Sequence, residues 1–156
     1  MIGLAISVSI LLLTYVIVRI IDSRIDKGKN NQTQKDTMTI IHQQWHKERR
    51  ALITDLSHRA SVQVSVPDAD NDDNRIEGEA DALIYSLWVD EFYRRLGVGR
   101  KLLETAECEA KRMGCKSVCL EWNCFETPEW VLFWYQRMGY CGHRIANFTW
   151  LLTKKL

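Results

Sequence analysis

V-D-E-F-Y-R-R-L-G-V-G-R-K-L-L, residues 89–103, joins two segments of different period. Ahead of it, Ala82-Leu83-Ile84-Tyr85-Ser86-Leu87-Trp88-Val89 alternates side chains as a strand does, with Leu83, Tyr85, Leu87 and Val89 on one face. Behind it, Leu102, Leu103, Ala106 and Ala110 recur at helical spacing as far as Met113, and Gly114 supplies a stop. Arg94 to Gly99 is therefore a tight strand-to-helix connection. Such a turn points backbone N–H groups without helical partners at one spot, and the helix dipole adds partial positive charge there. Gly97 and Gly99 let a ligand come close to the backbone, while Arg94, Arg95, Arg100 and Lys101 add full charges. The product is an anion site suited to a pyrophosphate.

Three glycine-loop readings compete with a plain strand-turn-helix corner. A P-loop needs Lys-Ser/Thr after its last glycine, and Arg100-Lys101-Leu102 does not supply it. A dinucleotide fingerprint needs a third glycine or alanine where Leu102 stands. The pattern R-x-x-G-x-G is met by Arg94, Gly97 and Gly99. Further on, Trp134-Tyr135-Gln136-Arg137-Met138-Gly139-Tyr140 follows at a distance that leaves room for one strand between the two patterns. In these two patterns, over about Ala82 to Leu156, the chain resembles the GCN5-related N-acetyltransferase (GNAT) family. That family's loop wraps the pyrophosphate of acetyl-coenzyme A, and its following helix usually ends in a pattern like F-Y-x-K-x-G-F. The resemblance implies an α/β (α+β) acyl-CoA N-acyltransferase fold, a mixed and mostly antiparallel sheet flanked by helices and splayed where the cofactor enters.

Composition fits one domain plus a tail: 156 residues, six Trp, and a net charge of +1 that hides a segregation of sign. Residues 1–63 carry nine Lys/Arg against five Asp/Glu, residues 64–91 one against nine, and residues 92–156 eleven against six. No single basic field dominates, which argues against nucleic acid as partner. A basic loop beside an acidic segment suits an anionic cofactor and a cationic acceptor such as a polyamine, an aminoglycoside or a lysine side chain. The five cysteines, Cys108, Cys115, Cys119, Cys124 and Cys141, form no C-x-x-C pair, and the four histidines lie outside ligand spacing. Neither a disulfide framework nor a metal site is expected.

Ile2 to Val18 is uncharged and mostly apolar, and Arg19 is followed by Ile20-Ile21. About twenty helical residues rise about 30 Å, the thickness of the hydrocarbon core, so residues 1–21 are expected to anchor the chain in a membrane. A cleaved signal peptide would want a basic first region and a small-residue cleavage site, and neither is present. Arg19, Arg24, Lys27, Lys29 and Lys35 follow the segment, which predicts a cytoplasmic domain by the positive-inside rule. Residues 22–36 read as a polar linker. The remaining 37–156 form the transferase-like domain.

Within that domain, Met38, Ile41, Trp45, Leu52 and Leu56 fall near one helical face, which predicts a helix over Thr37 to Arg59. Ser61 to Val66 alternates as a strand, and residues 67–74 form an acidic loop lacking the glycine and closing glutamate of a calcium-binding loop. Ile76 to Ala80 is expected to open the strand that runs on to Val89. Lys116 to Trp122 reads as a buried strand, with Val118, Leu120 and Trp122 opposite Cys119 and Glu121. Thr127-Pro128-Glu129 reads as a helix cap, first-position proline and first-turn acid, with the helix continuing to Met138. His143 to Ala146 and Phe148 to Lys154 close the chain as a hairpin around Asn147. Two departures from the family stand out. Only about fifty residues precede the loop where members usually have a strand, two helices and two more strands. Pro128 also stands where many members have an asparagine seven residues before the tyrosine.

The resemblance implies direct attack of a primary amine on the thioester of acetyl-CoA, the co-substrate. It implies that the backbone of Leu87, Trp88 and Val89 holds the pantetheine arm and polarises the carbonyl. Arg94, Arg95, Leu96, Gly97, Val98, Gly99 and Arg100 would take the pyrophosphate. Tyr135 matches the family's general acid. Glu121 is the candidate base, with a pKa raised by burial, and Glu79 and Asp81 are its rivals. The competing class is a tethered coenzyme A-binding module that has lost catalysis, favoured by the short amino-terminal part and the missing asparagine.

Overall fold

Alternation prevails over helical spacing at the start of the domain. In the computed structural model, which describes residues 38–68 and 80–156, Thr39–Trp45 is strand β1 and Glu48–Asp55 is strand β2. They pair antiparallel from Thr39↔Thr54 to Trp45↔Glu48. The helix expected over Thr37 to Arg59 is thus a hairpin. Ala51, Ile53 and Asp55 are buried at period two, whereas Ile41, Trp45 and Leu56, selected for the helical face, are 44%, 51% and 53% exposed. The turn His46-Lys47, with Lys47 at φ 59°, carries none of the Gly or Asn that usually announces a two-residue hairpin.

Strand β3 (Ala60–Pro67) returns antiparallel to β2, and β4 (Ala82–Val89) pairs antiparallel with β3. A 3-10 turn, Glu91–Tyr93, leads into helix α1 (Val98–Arg112), which crosses to β5 (Ser117–Asn123). Helix α2 (Glu129–Arg137) and the hairpin of β6 (Cys141–Ala146) and β7 (Thr149–Lys155) complete the domain. The sheet order is β1-β2-β3-β4-β5-β7-β6, antiparallel everywhere except between β4 and β5. Among the described residues the fold is therefore a mixed, mostly antiparallel sheet with two helices.

Helix α1 lies across β2 to β5. Its Leu102, Leu103, Ala106 and Ala110 join Ile53, Val62, Val64, Ile84, Val118 and Leu120 in one buried cluster. The stripe read from the sequence is the one the helix buries, and Gly114, at φ 94°, turns the chain out of it. Helix α2 starts after Pro128 without a side-chain cap. The expected cap, Thr127, instead donates its hydroxyl to the Asn123 carbonyl at 2.9 Å and so ties the helix start to the end of β5.

One carboxylate is buried at the end of β2. Asp55, 2% exposed, accepts bonds from Ser57 Oγ at 2.7 Å, His58 N at 3.2 Å and His58 Nδ1 at 2.9 Å. Burial acts to raise its pKa, and these hydrogen bonds together outweigh burial and hold it below the ordinary carboxylate value. A folded-state pKa below the unfolded one contributes stability that is present above about pH 4 and is lost as pH falls through the folded value. An Asp55→Asn chain is expected to lose part of this acid limb. Its melting temperature should vary less than the wild type's between pH 5 and pH 2, and an identical slope would refute the assignment.

The proposed membrane segment (residues 1–21), the linker (22–36), most of the acidic loop and residues Ile76 to Glu79 lie outside the described residues. The strand expected to open over Ile76 to Ala80 begins at Ala82, and Ala80 and Asp81 precede it as non-strand residues. Among the described residues no helix is long and apolar enough to cross a membrane. Among the described residues no helix of any length precedes the 3-10 turn.

Candidate active site

The glycine loop is held at both ends and open between them. Asp90 caps its entry, accepting a bond from Phe92 N at 3.0 Å, and the 3-10 turn closes with Tyr93 N–H on the Asp90 carbonyl at 2.9 Å. Arg95 (φ 65°) and Gly97 (φ 85°) are both left-handed with Leu96 between them. Alternating handedness of this kind gathers successive N–H groups into an anion-binding concavity. Gly97 is the cap residue of α1, and there is no side-chain cap and no acid in the first turn. The first helical bond runs from Lys101 N–H to the Gly97 carbonyl at 3.0 Å, so the N–H groups of Val98, Gly99 and Arg100 precede it and have no partner within the helix. Arg94, Arg95, Leu96, Gly97 and Arg100 are exposed, while Val98 is buried and pins the helix start.

The strand feeding this loop is bulged. Gln63 pairs with Tyr85 and Ser61 with Trp88, so Ser86 and Leu87 together face the single residue Val62, and Ser86 adopts φ 53°. On its other edge β4 pairs with β5 only through Ala82↔Val118 and Leu83↔Cys119. Beyond those pairs the two parallel strands separate, and the freed edge of β4 runs from the bulge to the glycine loop. Leu87 and Val89 are half-buried there and Trp88 is exposed. The Val89 carbonyl accepts Arg94 Nε at 2.9 Å, so Arg94 braces the strand end as well as adding charge.

The two sequence patterns meet in space. A Cβ placed on Gly99 would lie 3.7 Å from Val89 Cγ2 and 3.9 Å from the Trp134 ring, so the start of α1 rests against α2. This role of Trp134 was missed in the sequence, where only its position beside the tyrosine marked it. Next to it, Tyr135 is 9% exposed, and its ring lies 4.9 Å from that of Trp134 and 5.9 Å from that of Tyr140. The two tyrosines differ. Tyr140 donates its hydroxyl to Glu107 Oε1 at 2.9 Å, and Lys154 Nζ reaches Glu107 Oε2 at 2.7 Å. No residue among those described bonds the Tyr135 hydroxyl, and burial pushes its pKa up to about 12.

The carboxylates sort less well. Glu121 sits on β5 two residues past the last pairing with β4, in register with Leu151 of β7, and it is exposed. The burial expected of it is not found. Asp81 accepts Lys116 N at 2.7 Å, Ser117 N at 3.0 Å and Ser117 Oγ at 3.2 Å, and the Lys116 N–H is the chief reason its pKa is lowered. It fastens the start of β5 and is a poor base. Glu79 lies outside the described residues. Among the described residues no cluster of His, Cys, Asp and Glu could hold a metal.

Comparison with known proteins bears on the fold and the family. The chain superposes on a candidate acyl-CoA N-acyltransferase from Klebsiella pneumoniae with TM-score 0.52 at 14% identity, covering 91% of this chain and 88% of that one. The ribosomal-protein-S18-alanine N-acetyltransferase of Escherichia coli gives TM-score 0.48 at 16% identity over 72% of this chain and 71% of that one. A comparison with curated proteins finds no match. The sequence profile of the Acetyltransferase (GNAT) family matches residues 40–140, and the chain belongs to that family.

Proposed function

We propose that the protein transfers an acetyl group from acetyl-CoA to a primary amine by direct attack, with the cofactor pyrophosphate on the Arg94–Gly99 loop. The observation that carries this reading is the uncapped, acid-free start of α1 behind a left-handed Arg95–Gly97 turn, at the end of the freed β4 edge. The pantetheine arm lies along that edge, with Leu87 at the bulge placed to bond it. The amine nitrogen bonds to the thioester carbon, the C–S bond breaks, and the Tyr135 hydroxyl donates a hydrogen bond to the sulfur as it departs as thiolate. Glu121 receives the amine proton from the solvent side. Positioning two reactants in this way can supply about 7–11 kcal/mol of the barrier. Residues 1–21 tether the domain to a membrane with its active site in the cytoplasm.

The acceptor is a primary amine. The acidic stretch gives little guidance to its charge, because three of its four described carboxylates are engaged internally, Asp68 with Gln44 and Arg49, Asp81 with β5, and Asp90 with Arg59, while Glu91 is exposed. The second reading, a coenzyme A-binding module without catalysis, is favoured by the exposure of Glu121. Incubating the full-length chain with acetyl-labelled acetyl-CoA and a panel of amines separates the two. Label in an amine product is expected, and binding without either transfer or slow thioester hydrolysis would leave only the module. With an active acceptor, Glu121→Gln is expected to lower kcat by about a hundredfold, and an undiminished kcat would assign proton removal to solvent.

A further inference from the structure

We infer that the β2–β3 turn is a latch that holds the cofactor loop in its binding conformation, with His58 as its positioning residue. The inference rests on the reading of that loop as the coenzyme A pyrophosphate site. Between Val98, buried at one end, and Tyr93 at the other, the loop residues Arg94 to Gly97 are all exposed, and two of them are left-handed. Little packing within the loop itself selects that shape, so it depends on how its ends are held.

The entry end is held by the turn after β2. Asp55 fixes the imidazole of His58 through Nδ1, which leaves the ring no freedom to rotate away. The ring stands edge-on to Tyr93, with centroids 5.3 Å apart and planes at 85°. Tyr93 ends the 3-10 turn, and the next residue is Arg94. Three further contacts join the same two segments. Asp90 N–H bonds the Arg59 carbonyl at 3.1 Å, Arg59 Nη1 lies 3.9 Å from Asp90 Oδ2, and Ala60 pairs with Val89. Arg59 keeps φ 45°, a left-handed conformation that persists in a non-glycine residue where surrounding contacts over-determine it.

A ligand that binds only the latched loop sees its affinity reduced by the fraction of molecules so arranged. Loosening the latch therefore weakens cofactor binding and leaves the chemical step alone. A purely structural role for His58 would lower the melting temperature and leave affinity unchanged.

The test is titration of coenzyme A into the full-length chain for wild type, His58→Ala, Tyr93→Leu, the double variant and Tyr93→Phe. Each single loss of the ring contact is expected to raise Kd about three- to ten-fold. The double variant should be no weaker than the weaker single, because both remove one contact. Tyr93→Phe keeps the ring and should bind as wild type, and kcat at saturating acetyl-CoA should stay within about twofold. Folded His58→Ala or Tyr93→Leu with wild-type Kd, or additive effects in the double, would overturn the latch. Tyr93→Leu leaves the Asp55 bonds intact and serves if His58→Ala does not fold. A wild type that takes up no coenzyme A removes the cofactor reading and the latch with it.

Discussion

A Gly97→Glu chain is expected to remain folded and to lose acetyl-CoA binding by two orders of magnitude or more. A Cβ at Gly97 meets nothing within 4 Å, so the substitution causes no clash, and the remaining penalty is the φ of 85°. A left-handed conformation costs a side-chain-bearing residue roughly 1–2 kcal/mol. The new carboxylate lies at the uncapped start of α1, where it satisfies the N–H groups that would otherwise face the pyrophosphate. Repulsion between two negative charges about 5 Å apart at an effective dielectric near 20 is about 3 kcal/mol, equivalent to more than a hundredfold in Kd. Gly97→Ala carries the strain without the charge and separates the two effects, with an expected loss of about tenfold at most. Calorimetric titration with acetyl-CoA reads both. Wild-type affinity in the glutamate variant would place the pyrophosphate elsewhere.

Tyr135→Phe is expected to lower kcat on the order of a hundredfold while leaving KM for acetyl-CoA and the melting temperature close to wild type. The phenol is raised to about 12 by burial, so it keeps its proton at neutral pH. A thiol's ordinary pKa is about 8.5, which makes complete proton transfer to the departing sulfur unfavourable. The group acts best as a hydrogen-bond donor to the charge developing on sulfur. Because no described residue bonds this hydroxyl, its removal should not destabilise the fold. Tyr140→Phe supplies the contrast. It strands Glu107 with Lys154 alone and should lower stability by about 1–3 kcal/mol without changing kcat. An undiminished kcat in Tyr135→Phe would make the residue a packing aromatic.

What could be read from the sequence was what local chemistry decides. The change of period at Arg94, the glycines at 97 and 99, and the stripe from Leu102 to Ala110 each carry their own signal within a few residues, and β4 and α1 formed as read. The hairpin over Thr39 to Asp55 was hidden because Ile41 and Trp45, and again Leu52 and Leu56, stand four apart and mimic a helix, while His46-Lys47 gives no turn signal. Long-range facts were out of reach for a different reason. That Arg94 turns back to the Val89 carbonyl, that Trp134 supports Gly99, and that Glu121 lies open beside β7 each depend on which strand or helix becomes a neighbour. Composition and spacing do not encode these neighbours.

The brevity of the β4–β5 ladder carries a consequence for the cofactor-free protein. With two paired positions, the sheet has four lateral borders: β1 and β6 outside, and the inner rims of β4 and β5 beyond Leu83 and Cys119. Unsatisfied strand rims are templates for another chain's backbone. In the proposed pose a pantetheine arm along β4 would take the place of a missing strand, so the co-substrate would also shield the protein from self-association. On that reading, chains depleted of coenzyme A would be the ones exposed to intermolecular β-pairing, and saturating ligand would raise the free energy needed to open the sheet.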